Sequence, residues 1–130
     1  THVAGIIGAV RGASGATVEG ISPNVRIMGL RAVPDGDERD ADVARAIRYA
    51  VDHGAHIINM SFGKAYSPGK AVVDSAVRYA ADKGVLLVHA AGNDGENNDV
   101  VPSYPTSVLD NGSRVGNWLE VGASSWKGED

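Results

Sequence analysis

The sequence predicts an α/β fold built on parallel strands, and two observations carry that prediction. Short apolar runs at Arg26–Val33, His56–Met60, Val85–Val88 and Leu119–Ser124 alternate with longer stretches whose apolar residues recur at helical spacing. One helix-strand unit is also repeated. Ala46, Arg48, Tyr49, Ala50, Asp52 and Gly54 return thirty positions later as Ala76, Arg78, Tyr79, Ala80, Asp82 and Gly84. About thirty residues is the length of a βαβ unit, and alternation of this kind implies parallel strands joined by helical crossovers. Such a sheet places its ligand crevice outside the carboxyl ends of its strands. Ser61-Phe62-Gly63 and Ala91-Gly92-Asn93, equivalent in the repeat, should therefore emerge side by side.

The first element spans Thr1 to Val10. Val3, Ile6, Ile7 and Val10 lie at helical spacing, and Ala4, Gly5, Gly8 and Ala9 leave the remaining surface bare, so this helix can sit deep against a sheet. His2, at its start, reads as a packed or capping group rather than a catalyst. The glycine-rich stretch from Arg11 to Pro23 ends the helix and matches no phosphate-binding pattern. After the strand at Arg26–Val33 comes DGDERDAD, five carboxylates in eight residues. Their spacing gives no EF-hand loop; a solvated loop leading to a helix capped by Asp40 or Asp42 fits better. That helix runs to about His53 with Val43, Ile47, Ala50 and Val51 inward, and Gly54 stops it.

After the strand His56–Met60, the segment Gly63–Lys70 superficially resembles a Walker loop. Its glycines are one residue too far apart, and Ala71 stands where Ser or Thr is required. Ala71–Lys83 is amphipathic, with Val72, Val73, Ala76, Val77 and Ala80 on one face and Gly84 as its stop. Val85–Val88 is too short for a helix and reads as a strand buried on both faces. It ends in Ala90, Ala91 and Gly92, small residues that let another chain approach, and Asn93 adds an amide donor at the mouth. Asn, Asp and Gly are also ordinary turn residues, so a plain turn is the competing reading. The polar segment from Asp94 to Asn117, with Pro102, Tyr104 and Pro105 as firm points, is long for a compact domain and so either functional or disordered.

The chain of 130 residues, 43% of them apolar, is one domain or part of one. A formal charge of -4 argues against nucleic acid as a partner. Without cysteine there is no disulfide framework, thiolate metal site or thiol nucleophile. No apolar run approaches the roughly 18 residues of a membrane helix. His53, His56 and His89 read as structural or exposed residues, not as a metal set. Of the two sequons, Asn59 falls in a strand expected to be buried and Asn111 in the polar segment. The chain opens at Thr1 inside an apolar pattern, as a piece of a longer protein would.

Three islands coincide in order and spacing: THVAGIIGA at Thr1–Ala9, INMSFG at Ile58–Gly63 and HAAGNDG at His89–Gly95. Together they resemble the central part of a subtilisin-like serine peptidase domain. The resemblance implies a three-layer αβα fold with a mainly parallel sheet, of which residues 1–130 are a single partial domain, and peptide-bond hydrolysis by an Asp-His-Ser triad. It also removes a tempting assignment. The family motif is His-Gly-Thr-His-Val-Ala-Gly with the first histidine catalytic, so His2 resembles the second, structural histidine. The aspartate motif and the Gly-Thr-Ser-Met-Ala nucleophile motif have no counterpart here, and Pro105-Thr106-Ser107 does not substitute for the latter. The resemblance makes Asn93 the oxyanion-hole amide and Ser61, Phe62 and Gly63 the strand end that pairs with substrate. Ala90, Ala91 and Gly92 become a wall of the pocket for the side chain before the cleaved bond. Ser103, where family members often carry Gly, and Tyr104 fall near that pocket's base.

The expected partner is a protein or peptide substrate, with neither nucleic acid nor membrane. Missing sheet neighbours would also leave apolar surface that favours self-association. No cofactor is evident: many members bind calcium after the first helix, but Gly12–Gly20 lacks a convincing ligand set, which leaves calcium open for the parent protein alone. By resemblance the parent is secreted or in the cell envelope, and the chain by itself is inactive. Two other readings use the same residues, a peptide-binding pseudoenzyme and a doubly wound small-ligand protein.

Overall fold

Strands β1 (Ile57–Met60), β2 (Leu86–Ala90) and β3 (Trp118–Val121) form a sheet in the order β1-β2-β3, parallel throughout. The computed structural model describes residues 2–15, 17–36 and 38–127. Thr1 of the first island, Asp37 of the acidic run and the chain end at Asp130 lie outside the described residues. Helix α1 is His2–Gly8, α2 is Asp40–Asp52 and α3 is Lys70–Asp82. The repeat foreseen from sequence is thus α2-β1 followed by α3-β2.

Each repeat unit folds for reasons visible in its residues. Val43, Ala44, Ile47 and Ala50 of α2, and Val73, Ala76, Val77 and Ala80 of α3, recur every three or four positions and are buried. Alanines on both stripes let the helices approach closely. Gly54 and Gly84 end the units with φ of 82° and 71°, where a β-carbon would clash with its own backbone. The inward residues of α2 and α3 join Met60, Leu87 and Leu109 in one core cluster, with Phe62, Val115 and Trp118 packed against it. Fully burying Leu87 or Val77 contributes roughly 1.5–3 kcal/mol each.

Several expectations are corrected. Arg26–Val33 pairs with no described strand, and Ile27, Met28 and Leu30 are exposed. Extended backbone becomes a strand only when a neighbour accepts its hydrogen bonds. Helix α1 stops at Gly8 and buries none of its residues: its described neighbour is the following loop, whose Gly20, Ile21 and Ser22 N–H groups donate to Ala9, Ile6 and Ile7 carbonyls, and not the sheet. The strand β2 buries one face, not two: Leu87 and His89 are covered, and Leu86, Val88 and Ala90 only partly. The opposite face, carrying Ile57, Leu119 and Val121, is open to solvent, and Asn59 is exposed with it. Val72 also points outward. Arg39, not an aspartate, occupies the N-cap of α2.

The register is also one residue off the repeat. Met60 pairs with His89, so Ser61 continues beside Ala90 rather than Ala91. Strand β1 begins three residues after Gly54, whereas β2 begins two after Gly84. The shorter second link slides β2 by one position, and in a strand one position exchanges the faces.

Candidate functional site

Strands β1 and β2 end side by side, and the expected site residues follow them. Ser61 is exposed and accepts a hydrogen bond from Asn59 Nδ2 at 2.8 Å. Phe62 turns back onto the core. Gly63 is exposed, and a β-carbon there would displace the Ser103 hydroxyl and stand 3.4 Å from His89 Nε2. Lys64 then pairs antiparallel with Tyr104: its N–H donates to the Tyr104 carbonyl at 3.2 Å, and the Tyr104 N–H donates back at 2.8 Å. This bridge brings Ser103 and Tyr104 to the Gly63 strand end.

On the second strand, Ala90 and Ala91 are half-buried, and the Ala91 N–H extends the ladder to Val121 O at 2.9 Å. Gly92, with φ of 98°, turns the chain outward and leaves Asn93 exposed. Among the described residues the Asn93 side chain has no hydrogen-bond partner, so its amide donors face outward from a firmly held strand end.

A partly buried ion pair holds the first loop. Lys64 Nζ lies 2.8 Å from Asp40 Oδ1 and donates to the Glu38 carbonyl at 2.7 Å. Asp40 also accepts from Ser67 Oγ at 2.8 Å and from the Gly69 N–H at 2.7 Å. Burial works against the Asp40 charge, but the hydrogen bonds from Lys64, Ser67 and Gly69 together with the Lys64 charge outweigh it and hold the carboxyl below its ordinary range. A similar knot fixes the later segment, where Lys70 Nζ meets Asp74 at 2.5 Å and the Val108 carbonyl at 2.8 Å, and the Asp110 N–H donates to Asp74 at 2.7 Å.

Beneath this edge a cavity of about 380 Å³ is lined by Asn98, Ser103, Tyr104, Thr106, Trp118 and Glu120, among others. Of the expected residues, Ser103 and Tyr104 line it, whereas Ser61–Gly63 and Ala90–Asn93 stand on the sheet edge outside it. Sequence reasoning missed Asp40, Lys64, Asn98 and Glu120 as site-building residues. The one local signal was His89, a polar residue in an apolar strand, which is buried and bonded to Glu120 across 31 positions. His53 is exposed and stacked on Tyr49, and His56 is exposed. Among the described residues no group of three or more His, Asp or Glu is placed to hold a metal ion. The one carboxylate of the 12–20 loop, Glu19, faces Arg11 at 3.8 Å. No helix is long and apolar enough to cross a membrane among the described residues.

A sequence model of the Subtilase family matches residues 1–129. The thermophilic serine proteinase of Bacillus sp. (strain AK1) is 37% identical over 134 residues, covering 93% of this chain and 32% of the relative. The minor extracellular protease Epr of Bacillus subtilis (strain 168) is 35% identical over 108 residues, covering 82% of this chain and 16% of the relative. Among solved structures, Sphericase superposes with a TM-score of 0.78 at 33% identity, over 98% of this chain and 41% of that one. The architecture is therefore a partial subtilisin-like α/β fold, of which the sheet and the α2–α3 layer are described above. The chain spans about a third of the length of the first of these curated relatives.

Proposed function

Because the chain belongs to the subtilase family, we propose that the protein containing it is a serine endopeptidase, and that this segment supplies the oxyanion donor and half of the substrate cradle. The observation that carries the reading is Asn93, exposed and free to donate, delivered by β2 beside the end of β1. Substrate backbone adds as a strand along Ser61–Gly63, with Ala90–Gly92 walling the pocket for the preceding side chain and Ser103 and Tyr104 near its base. As a nucleophile attacks the scissile carbonyl, charge builds on its oxygen. An amide N–H of Asn93 meets that oxygen at a strand end already fixed before the reaction begins. The nucleophile, base and orienting acid come from residues outside this sequence, so the 130-residue chain alone hydrolyses nothing.

A fluorophosphonate probe should label the full-length protein and leave the isolated chain unlabelled; labelling of the isolated chain overturns the division of labour. In the full-length protein, Asn93→Ala should lower kcat by about 10²–10³ with KM little changed, the size known for this donor in a member of the family. An unchanged kcat removes Asn93 from the mechanism. The open face with Ile57, Leu119 and Val121 supports self-association of the isolated chain, which light scattering should detect as mass rising with concentration. The extracellular relative supports a secreted or cell-envelope parent.

A further inference from the structure

The carboxylate of Glu120, on β3, takes three donors. Its Oε1 accepts from His89 Nδ1 at 3.0 Å and from Asn98 Nδ2 at 3.2 Å, and its Oε2 accepts from Trp118 Nε1 at 2.7 Å. Asn98 Nδ2 also donates to the Ala91 carbonyl at 2.9 Å. That second bond closes the loop that leaves β2 at Ala91 and carries Asn93 two residues later. An ionised carboxylate only accepts, and so does a carbonyl. Both therefore demand the nitrogen end of the Asn98 amide, and flipping it would set an oxygen against two acceptors. The same charge keeps a proton on His89 Nδ1. His89 is 1% exposed and its Nε2 has no hydrogen-bond partner, which costs less as a lone pair than as a buried N–H. That nitrogen faces the notch at Gly63 that the Ser103 hydroxyl shares. One side chain thus braces the β2 end of the site.

We propose that Glu120 is a positioning residue that holds the Asn93 amide where the oxyanion develops, acting through Asn98 and the Ala91 carbonyl. The proposal rests on the peptidase reading above. In the full-length protein, Glu120→Gln keeps the shape of the side chain and removes its charge. The expected loss is about tenfold to thirtyfold in kcat with KM within about twofold, a fraction of the cost of losing the donor itself. Placed on Asn93→Ala, the same substitution should cost less than about twofold more, because the brace acts through that amide. A tenfold loss on the Asn93→Ala background overturns the proposal, as does an unchanged kcat in Glu120→Gln alone. Asn98→Ala, which leaves the carboxylate and His89 in place, should reproduce the loss; normal turnover overturns the route through Asn98.

A second measurement does not depend on hydrolysis. Amide hydrogen exchange of Asp99, Val100 and Val101, whose N–H groups bond to Asn97 beside Asn98, should quicken at least tenfold in Glu120→Gln. Unchanged exchange overturns the brace even in an active peptidase. Quickened exchange in a protein that hydrolyses no peptide upholds the brace and refutes the peptidase reading instead.

Discussion

The segments 2–33 and 40–91 carry comparable apolar residues, yet one builds a core and the other does not. From 40 to 91, two helices lay alanine and valine stripes on each other, α3 packs on β2, and Ala76, Val77, Ala80 and Leu87 are wholly buried. From 2 to 33, Ile6, Val10, Ile27 and Met28 lie between 42% and 54% exposed. The difference is one of neighbours, not of composition. Between 40 and 91 every strand has a partner and every helix a surface, whereas Arg26–Val33 has no described strand to bond with.

Substitutions on the two sides should break or sharpen this contrast. Leu87→Ala should have the largest effect, a loss of about 3–5 kcal/mol in urea denaturation, since a leucine without exposed surface leaves a cavity the packed helices cannot close. A loss below 1 kcal/mol would mean that the core is looser than its burial implies. Next comes Asp40→Asn, which leaves the partly buried Lys64 against a neutral partner and should cost about 2–3 kcal/mol at neutral pH. Its pH dependence has a definite sign. The folded Asp40 carboxyl titrates below its unfolded value of about 3.9, so its contribution is complete above that pH and fades as pH falls through the folded value. Wild type and variant should converge as pH falls, and a gap that does not narrow in acid would assign the loss to packing. The smallest effect belongs to Ile27→Ala, within about 0.5 kcal/mol, because half of that side chain already faces water. A large loss there would show that the 2–33 segment has a partner surface after all.

The same contrast explains what the sequence could disclose. Helices α2 and α3 were legible because burial by a helix is periodic and glycine marks its end, so Val43, Ile47, Val73 and Val77 announce both face and length. Strands β1 and β2 were legible from apolar runs, but which residues face inward was not, since that depends on pairing. Arg26–Val33 shows the limit: its residues favour a strand, and a strand is a property of two segments. Asn93 was legible as a donor at a strand end. The Lys64–Asp40 pair, 24 positions apart, and the Glu120 brace, 22 and 31 positions from Asn98 and His89, were not, because no local pattern links residues that meet only through sheet register.

The link one residue shorter before β2 than before β1 acts on that strand as a reading frame. Because alternate residues face opposite sides, lengthening the link between Gly84 and Leu86 by one residue, with the helix held in place, would reassign the inward set of β2 at a stroke. Leu87 and His89 would exchange roles with their neighbours, and the loop bearing Asn93 would start from the other face. A single-codon insertion or deletion there is therefore a more drastic edit of the site than replacing any one side chain in it. Within such a lineage the length of this link should be held more strictly than the identities of the residues that compose it.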